Sequence, residues 1–244
     1  MSLHIIGSGN VRAFDICASA LIDNTILIDC GYNVYKRLVQ PDIDINKLQS
    51  VFITHLHSDH FFDLTALLSY VSYANEHNQE LSKFQVFLPP GGINTLTILA
   101  VYALNLNDDP VLWLENVAEL HEYQADAPIQ LPGYEVTPVL VDHGPMKPAY
   151  GFIVETPTKV YGFSGDSVLC PNIDRIVTAS DVAVLDASNL EGNIAHMGLK
   201  DVIDYANRYP DKQFLGTHLS NEVRKFDQGL PDNLHLLQDD EIID

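Results

Sequence analysis

The chain has 244 residues, of which 46% are from the AVILMFWYC set and 19% are charged, which supports a sizeable core and excludes a disordered or fibrous chain. Thirteen Lys plus Arg against 33 Asp plus Glu give a formal charge of −20, a field that repels polyanions, so nucleic acid is not expected as a partner. Cys17, Cys30 and Cys170 show no CxxC spacing, and no stretch approaches the roughly 18 uninterrupted apolar residues of a membrane span. With no basic and then apolar leader at the start, the expectation is a globular, cytoplasmic protein forming one domain over 1–244, with no membrane partner.

The opening reads as a β-meander. Leu3 to Ile6 ends at Gly7-Ser8-Gly9-Asn10, read as a tight turn. Ala18 to Ile22 turns at Asp23-Asn24, and Thr25 to Asp29 returns. A further strand, Ser50 to Thr54, runs into His55, and Leu64, Leu67, Leu68 and Val71 then repeat at helical spacing. In the second half strands are expected at Tyr134 to Val141, Tyr150 to Glu155, Lys159 to Phe163 and Val182 to Leu185. A helix follows with Leu199, Val202, Ile203 and Ala206 on one face, stopped at Tyr209-Pro210, and a strand then covers Gln213 to Gly216. Two β-rich halves with outer helices give an α/β (α+β) class, packed as a four-layer αββα sandwich. The acidic end Gln238 to Glu241 reads as a solvated tail. Phe61, Phe62, Tyr70 and Tyr73 read as core.

The segment Thr54-His55-Leu56-His57-Ser58-Asp59-His60 places three imidazoles and a carboxylate within six residues directly after a strand. On a turning backbone, residues two apart can aim at one point, so His55 and His57 can share a metal ion while Asp59 and His60 serve a second. Nitrogen and oxygen donors without thiolate suit Zn²⁺, and also fit Mn²⁺ or Fe²⁺.

This HxHxDH stretch resembles the signature of the metallo-β-lactamase fold superfamily. The resemblance continues along the chain through Asp29 in Ile28-Asp29-Cys30-Gly31, His143 in Asp142-His143-Gly144, Asp166 in Ser164-Gly165-Asp166-Ser167, and His218 in Gly216-Thr217-His218-Leu219. It implies a metallo-β-lactamase-like αββα hydrolase with two divalent ions. His55, His57 and His143 would hold one, Asp59, His60 and His218 the other, with Asp166 between them. Asp29 would orient a ligand without binding metal.

Within the superfamily the chain is similar to the ribonuclease Z-like phosphodiesterases. Leu185-Asp186-Ala187-Ser188 stands at that group's HEAT-like segment, with Leu185 for histidine and Asp186 for glutamate. Ala195-His196-Met197-Gly198 stands at its helix-head histidine, with Met-Gly for the usual Ser-Thr. The acid–imidazole pair implies that Asp186 keeps His196 protonated to assist a leaving oxygen, and Asp59 is placed to orient or deprotonate water. Only 144–165 lie between His143 and Asp166, mostly consumed by two strands, so the tRNA-gripping arm often found there in ribonuclease Z has no room. The expected substrate is therefore a small phosphodiester or nucleotide, hydrolysed by a metal-dependent phosphodiesterase. The alternatives are a tRNA 3′-processing endoribonuclease or a lactone or thioester hydrolase of the same fold. The resemblance also suggests a homodimer.

Overall fold

The computed structural model describes residues 2–77, 81–106, 109–226 and 229–243. They group into two compact units. One comprises Met1–Gly7, Ile16–Tyr123 and Asp240–Asp244, the other Ser8–Asp15 and Gln124–Asp239. The α/β class expected from the sequence is the class observed, with a seven-stranded sheet in each unit.

The first unit opens with β1 (Leu3–Gly7), β2 (Ser19–Ile22) and β3 (Ile26–Ile28), an antiparallel meander as expected. Asp23 and Asn24 both have positive φ, 50° and 59°, the two-residue hairpin geometry that short polar side chains tolerate. After α1 (Val34–Leu38), β4 (Ser50–Phe52) pairs parallel to β3. Then α2 (Ser58–Phe61) and α3 (Asp63–Glu76) lead to β5 (Phe84–Leu88), and α4 (Gly92–Leu104) and α5 (Pro110–Val117) lead to β6 (Ala118–Glu122). Parallel neighbours need such helical crossovers, and the strands β3 and β4 are buried at every position, as parallel strands usually are. Leu64, Leu67, Leu68 and Val71 of α3 pack with Val51, Val86 and Leu96 in one core.

Several expectations are corrected here. The strand Ser50–Thr54 stops at Phe52, because the Thr54 amide turns to the Asp29 carboxylate at 2.7 Å. Phe61 is buried, but Phe62 is 39% and Tyr73 59% exposed, so those two do not belong to the core. The acidic end is not a solvated tail. The Asp240 amide donates to the Ile5 carbonyl, its carboxylate pairs with Arg37, and Ile242–Ile243 forms an edge strand against β1. Backbone pairing there outweighs the solvation that the acidic side chains favour.

In the second unit β7 (Ile129–Leu131), β8 (Tyr134–His143), β9 (Met146–Glu155) and β10 (Val160–Phe163) run antiparallel. Then α6 (Pro171–Ala179), β11 (Val182–Asp186), α7 (Leu199–Arg208), β12 (Gln213–Thr217) and β13 (Leu234–Leu236) continue the sheet in parallel. β8 and β9 are longer than expected, ten residues each, and meet at a turn with Gly144 at φ +55°. Together β9 and β10 fill most of 144–165, as the sequence anticipated. Ile173, Ile176 and Val177 of α6 and Leu199, Val202 and Ala206 of α7 pack with Val139, Ala183 and Phe214. Ile203 lies at the margin, and Tyr205 takes the buried place.

Candidate metal centre

In each unit the polar cluster gathers where parallel strands end, the edge at which strand carbonyls and loops leave room for ligands. In the first unit, β3 and β4 end beside each other, bringing Asp29 next to Thr54 and the histidine segment. Asp29 is 4% exposed and has φ +62°, a left-handed conformation costing about 1–3 kcal/mol that the surrounding bonds must hold in place. Its Oδ1 accepts from the Thr54 amide at 2.7 Å, and its Oδ2 accepts from Thr54 Oγ1 at 2.9 Å and from His60 Nδ1 at 2.7 Å. Burial pushes its carboxyl up, while His60 and Thr54 pull the other way. Thr54 Oγ1, having donated to Asp29, is the acceptor for His55 Nδ1 at 3.0 Å. Both rings are thereby held with the proton on Nδ1 and the lone pair on Nε2, the atom a metal takes.

His57, exposed at its end of the segment, brings Nδ1 within 3.1 Å of His55 Nε2, and Asp59 Oδ2 lies 3.8 Å from His60 Nε2. The chain can approach this closely because residue 31 is glycine: a Cβ there would fall 1.7 Å from the Asp59 carbonyl oxygen. All four members of the motif therefore lie together, with Asp29 positioned as an orienting group.

In the second unit the donors of Asp166, Asp186, His196 and His218 all lie within 4.8 Å of one another. His143, at the end of β8, joins them with Nε2 3.7 Å from Asp166 Oδ2, and its Nδ1 donates to the Ala195 carbonyl at 2.8 Å. Asp166 and Asp186 are 2% and 0% exposed. Two carboxylates so placed repel strongly unless cations offset them, and imidazole nitrogen with carboxylate oxygen is a donor set that fits a borderline divalent ion. On this chemistry the residues present fit the metal that the sequence implies.

Asp186 and His196 form a pair, Oδ2 to Nδ1 at 2.8 Å. Burial would raise the Asp186 carboxyl, but hydrogen bonds from His196 and His218 outweigh it and hold the group below the usual carboxylate range. For His196 burial disfavours charge, yet the bond to Asp186 and its negative charge prevail and raise the imidazole. Each shift favours the charged form of its own group.

Ser188 escaped the sequence reading as a functional residue. Its Oγ donates to Asp186 Oδ1 at 2.7 Å and lies 2.6 Å from His218 Nδ1. His218 itself stands at φ +58°. Only a position two residues beyond Asp186 at a strand end could have pointed to it.

Structures of known proteins place this architecture. The metallo-β-lactamase fold protein YhfI from Bacillus subtilis matches with TM-score 0.76 at 16% identity, over 99% of this chain and 98% of its own. A diphosphatase of the PhnP family matches with TM-score 0.75 at 17% identity, over 100% and 97%. The likeness shows a metallo-β-lactamase fold, and the donor clusters within it are of the kind that can hold a divalent metal ion. Among curated proteins, ribonuclease Z from Mycobacterium marinum is 27% identical over 192 residues, 73% of this chain, and the match spans 66% of that protein's length, slightly under two thirds. Residues 1–242 match the family described as Anti-Pycsar protein Apyc1, and the chain belongs to that family. Among the described residues, no helix is long and apolar enough to cross a membrane.

Proposed function

We propose that this chain is a dinuclear phosphodiesterase acting on small phosphodiesters or nucleotides, its 1–244 a single hydrolase domain. The observation that carries the reading is the buried Asp186 carboxyl bonded to His196 Nδ1 at 2.8 Å among metal-type donors. That arrangement suits protonation of a departing alkoxide, a step a phosphodiester requires. The ligand assignment follows the family resemblance: His55, His57 and His143 for one ion, Asp59, His60 and His218 for the other, Asp166 shared. Zinc is the expected metal, with manganese or iron as substitutes.

When bound, the ions supply Lewis-acid stabilisation of phosphoryl charge and make water acidic enough to serve as a nucleophile near neutral pH. Asp59 would orient the attacking water and take up its proton. As the new P–O bond forms and the ester P–O bond breaks, His196 Nε2 delivers a proton to the leaving oxygen, and Asp186 keeps the imidazole aligned through Nδ1. Asp29 and Thr54 hold the His60 and His55 rings in the required tautomer.

Small substrates are favoured by the −20 charge and by the use of most of 144–165 for β9 and β10, which leaves no arm at that position. Two divalent ions would offset about four of those charges locally, so the site can still attract an anion. The reading includes cytoplasmic residence and a homodimer, the latter to be read by sedimentation. The similarity to ribonuclease Z favours tRNA 3′-end processing as the second reading. Metal-analysed protein assayed on small phosphodiesters including cyclic nucleotides, precursor tRNA, lactones and thioesters decides between them. Turnover confined to precursor tRNA, or to lactones and thioesters, refutes the proposal.

A further inference from the structure

The loop between β11 and α7 carries His196 and exposes its tip, where Ile194 is 81% exposed. A loop beside a reacting group normally varies in conformation, yet this one is braced from within. Asn193 Oδ1 accepts from the Ala195 amide at 2.8 Å and from the His196 amide at 3.0 Å, and the Asn193 amide donates to the His196 carbonyl at 2.9 Å. The same turn presents the Ala195 carbonyl, which His143 Nδ1 meets at 2.8 Å. The His143 and His196 rings lie 4.8 Å apart, edge to face.

The turn rests on Gly144. Its φ is +55°, and a Cβ there would lie 2.3 Å from the Ile194 carbonyl oxygen, so any side chain at 144 would push the turn away from His143. Position 193 is bound from one side by its own loop, and the loop is admitted from the other side by a missing Cβ. One side-chain oxygen thus governs two imidazoles. It sets the backbone from which His196 reaches Asp186, and it aims the carbonyl that keeps the His143 proton on Nδ1.

We infer that Asn193 is a positioning residue that couples the candidate ligand His143 to the leaving-group residue His196 through the backbone of Ala195 and His196. The leaving-group half of this role rests on the phosphodiesterase reading. The tautomer half does not.

The test compares Asn193→Ala with Asn193→Asp, which retains an acceptor oxygen at the same place. In the metal-loaded protein, Asn193→Ala is expected to lower kcat on an alkyl phosphodiester by on the order of tenfold, the worth of about one to two hydrogen bonds. It should leave KM and the rate on a nitrophenyl ester near the parent values, and Asn193→Asp should restore the loss. Independently, ¹⁵N imidazole NMR of chelator-treated protein should show slow exchange of the His143 Nδ1 proton in the parent and in Asn193→Asp. That protection should be lost in Asn193→Ala and also in Gly144→Ala, which disturbs the seat without touching Asn193. Parent-like imidazole exchange in Asn193→Ala overturns the inference whatever Gly144→Ala shows, as does a change in melting temperature alone. If the parent cleaves no phosphodiester, the function reading fails while the NMR comparison still judges Asn193.

Discussion

Asp29→Asn isolates what a buried carboxylate does for the histidine motif. The native group serves three donors, two of them at Oδ2. An asparagine has one acceptor oxygen. Placed at Oδ2, it keeps Thr54 Oγ1 and His60 but sets its amide against the Thr54 N–H. Placed at Oδ1, it keeps the Thr54 amide and forces His60 to move its proton to Nε2, the atom needed for metal. With Asp29 4% exposed, water does not rescue the stranded donor, which costs about 1–3 kcal/mol, and a charge-assisted bond weakens as well. A total of about 2–4 kcal/mol at roughly 2–4 °C per kcal/mol for a chain of this size lowers the melting temperature by roughly 10 °C. Metal affinity should fall about 10–100-fold, the usual effect of losing a partner that orients a ligand. Thermal melts of chelator-treated protein and competitive metal titration read the two effects separately. Parent-like melting together with parent-like affinity would refute the reasoning, since it would mean that neither the stranded donor nor the His60 tautomer matters.

Asp166→Asn removes negative charge from the candidate bridge, so metal content by elemental analysis and turnover should fall together on every substrate; turnover lost with full metal content would contradict a ligand role. His196→Ala should leave metal content near the parent value and cost about 10²-fold or more in kcat on an alkyl ester but much less on a nitrophenyl ester, the signature of a lost general acid. Equal losses on both esters would reduce His196 to a structural residue. Ser188→Ala removes the hydroxyl shared by Asp186 and His218, and should weaken metal binding about tenfold, with Ser188→Thr restoring it. Unchanged affinity in titration calorimetry would count against that bridge.

Much of the site was legible because it is local. The spacing of His55, His57, Asp59 and His60 is a property of six consecutive residues, and the strand before them and the helix after them follow from apolar periodicity. His143, Asp166 and His218 were legible only through the family resemblance, which their order and their positions after β-like runs supported. The strand pattern of 144–165 could also be read directly, since alternation and turn residues are local signals. What orients these groups was not legible. Thr54 meets Asp29 across 25 residues, Ser188 meets His218 across 30, and the Ala195 carbonyl meets His143 across 52. Such contacts exist only once parallel crossovers have laid strand ends side by side, and no periodicity encodes which hydroxyl or carbonyl then faces which ring.

The C-terminal segment shows the same division from the other direction. Its acidic side chains read as a solvated tail, a sound inference from composition. The outcome turned instead on the open edge of β1, whose backbone groups recruit Glu241 and Ile242–Ile243, and on Arg37, which waits 203 residues away for Asp240. Side-chain chemistry and local spacing therefore determined which donors this protein has. The pairing of distant backbone edges, which hydrogen bonding enforces only in the folded chain, decided how those donors are aimed.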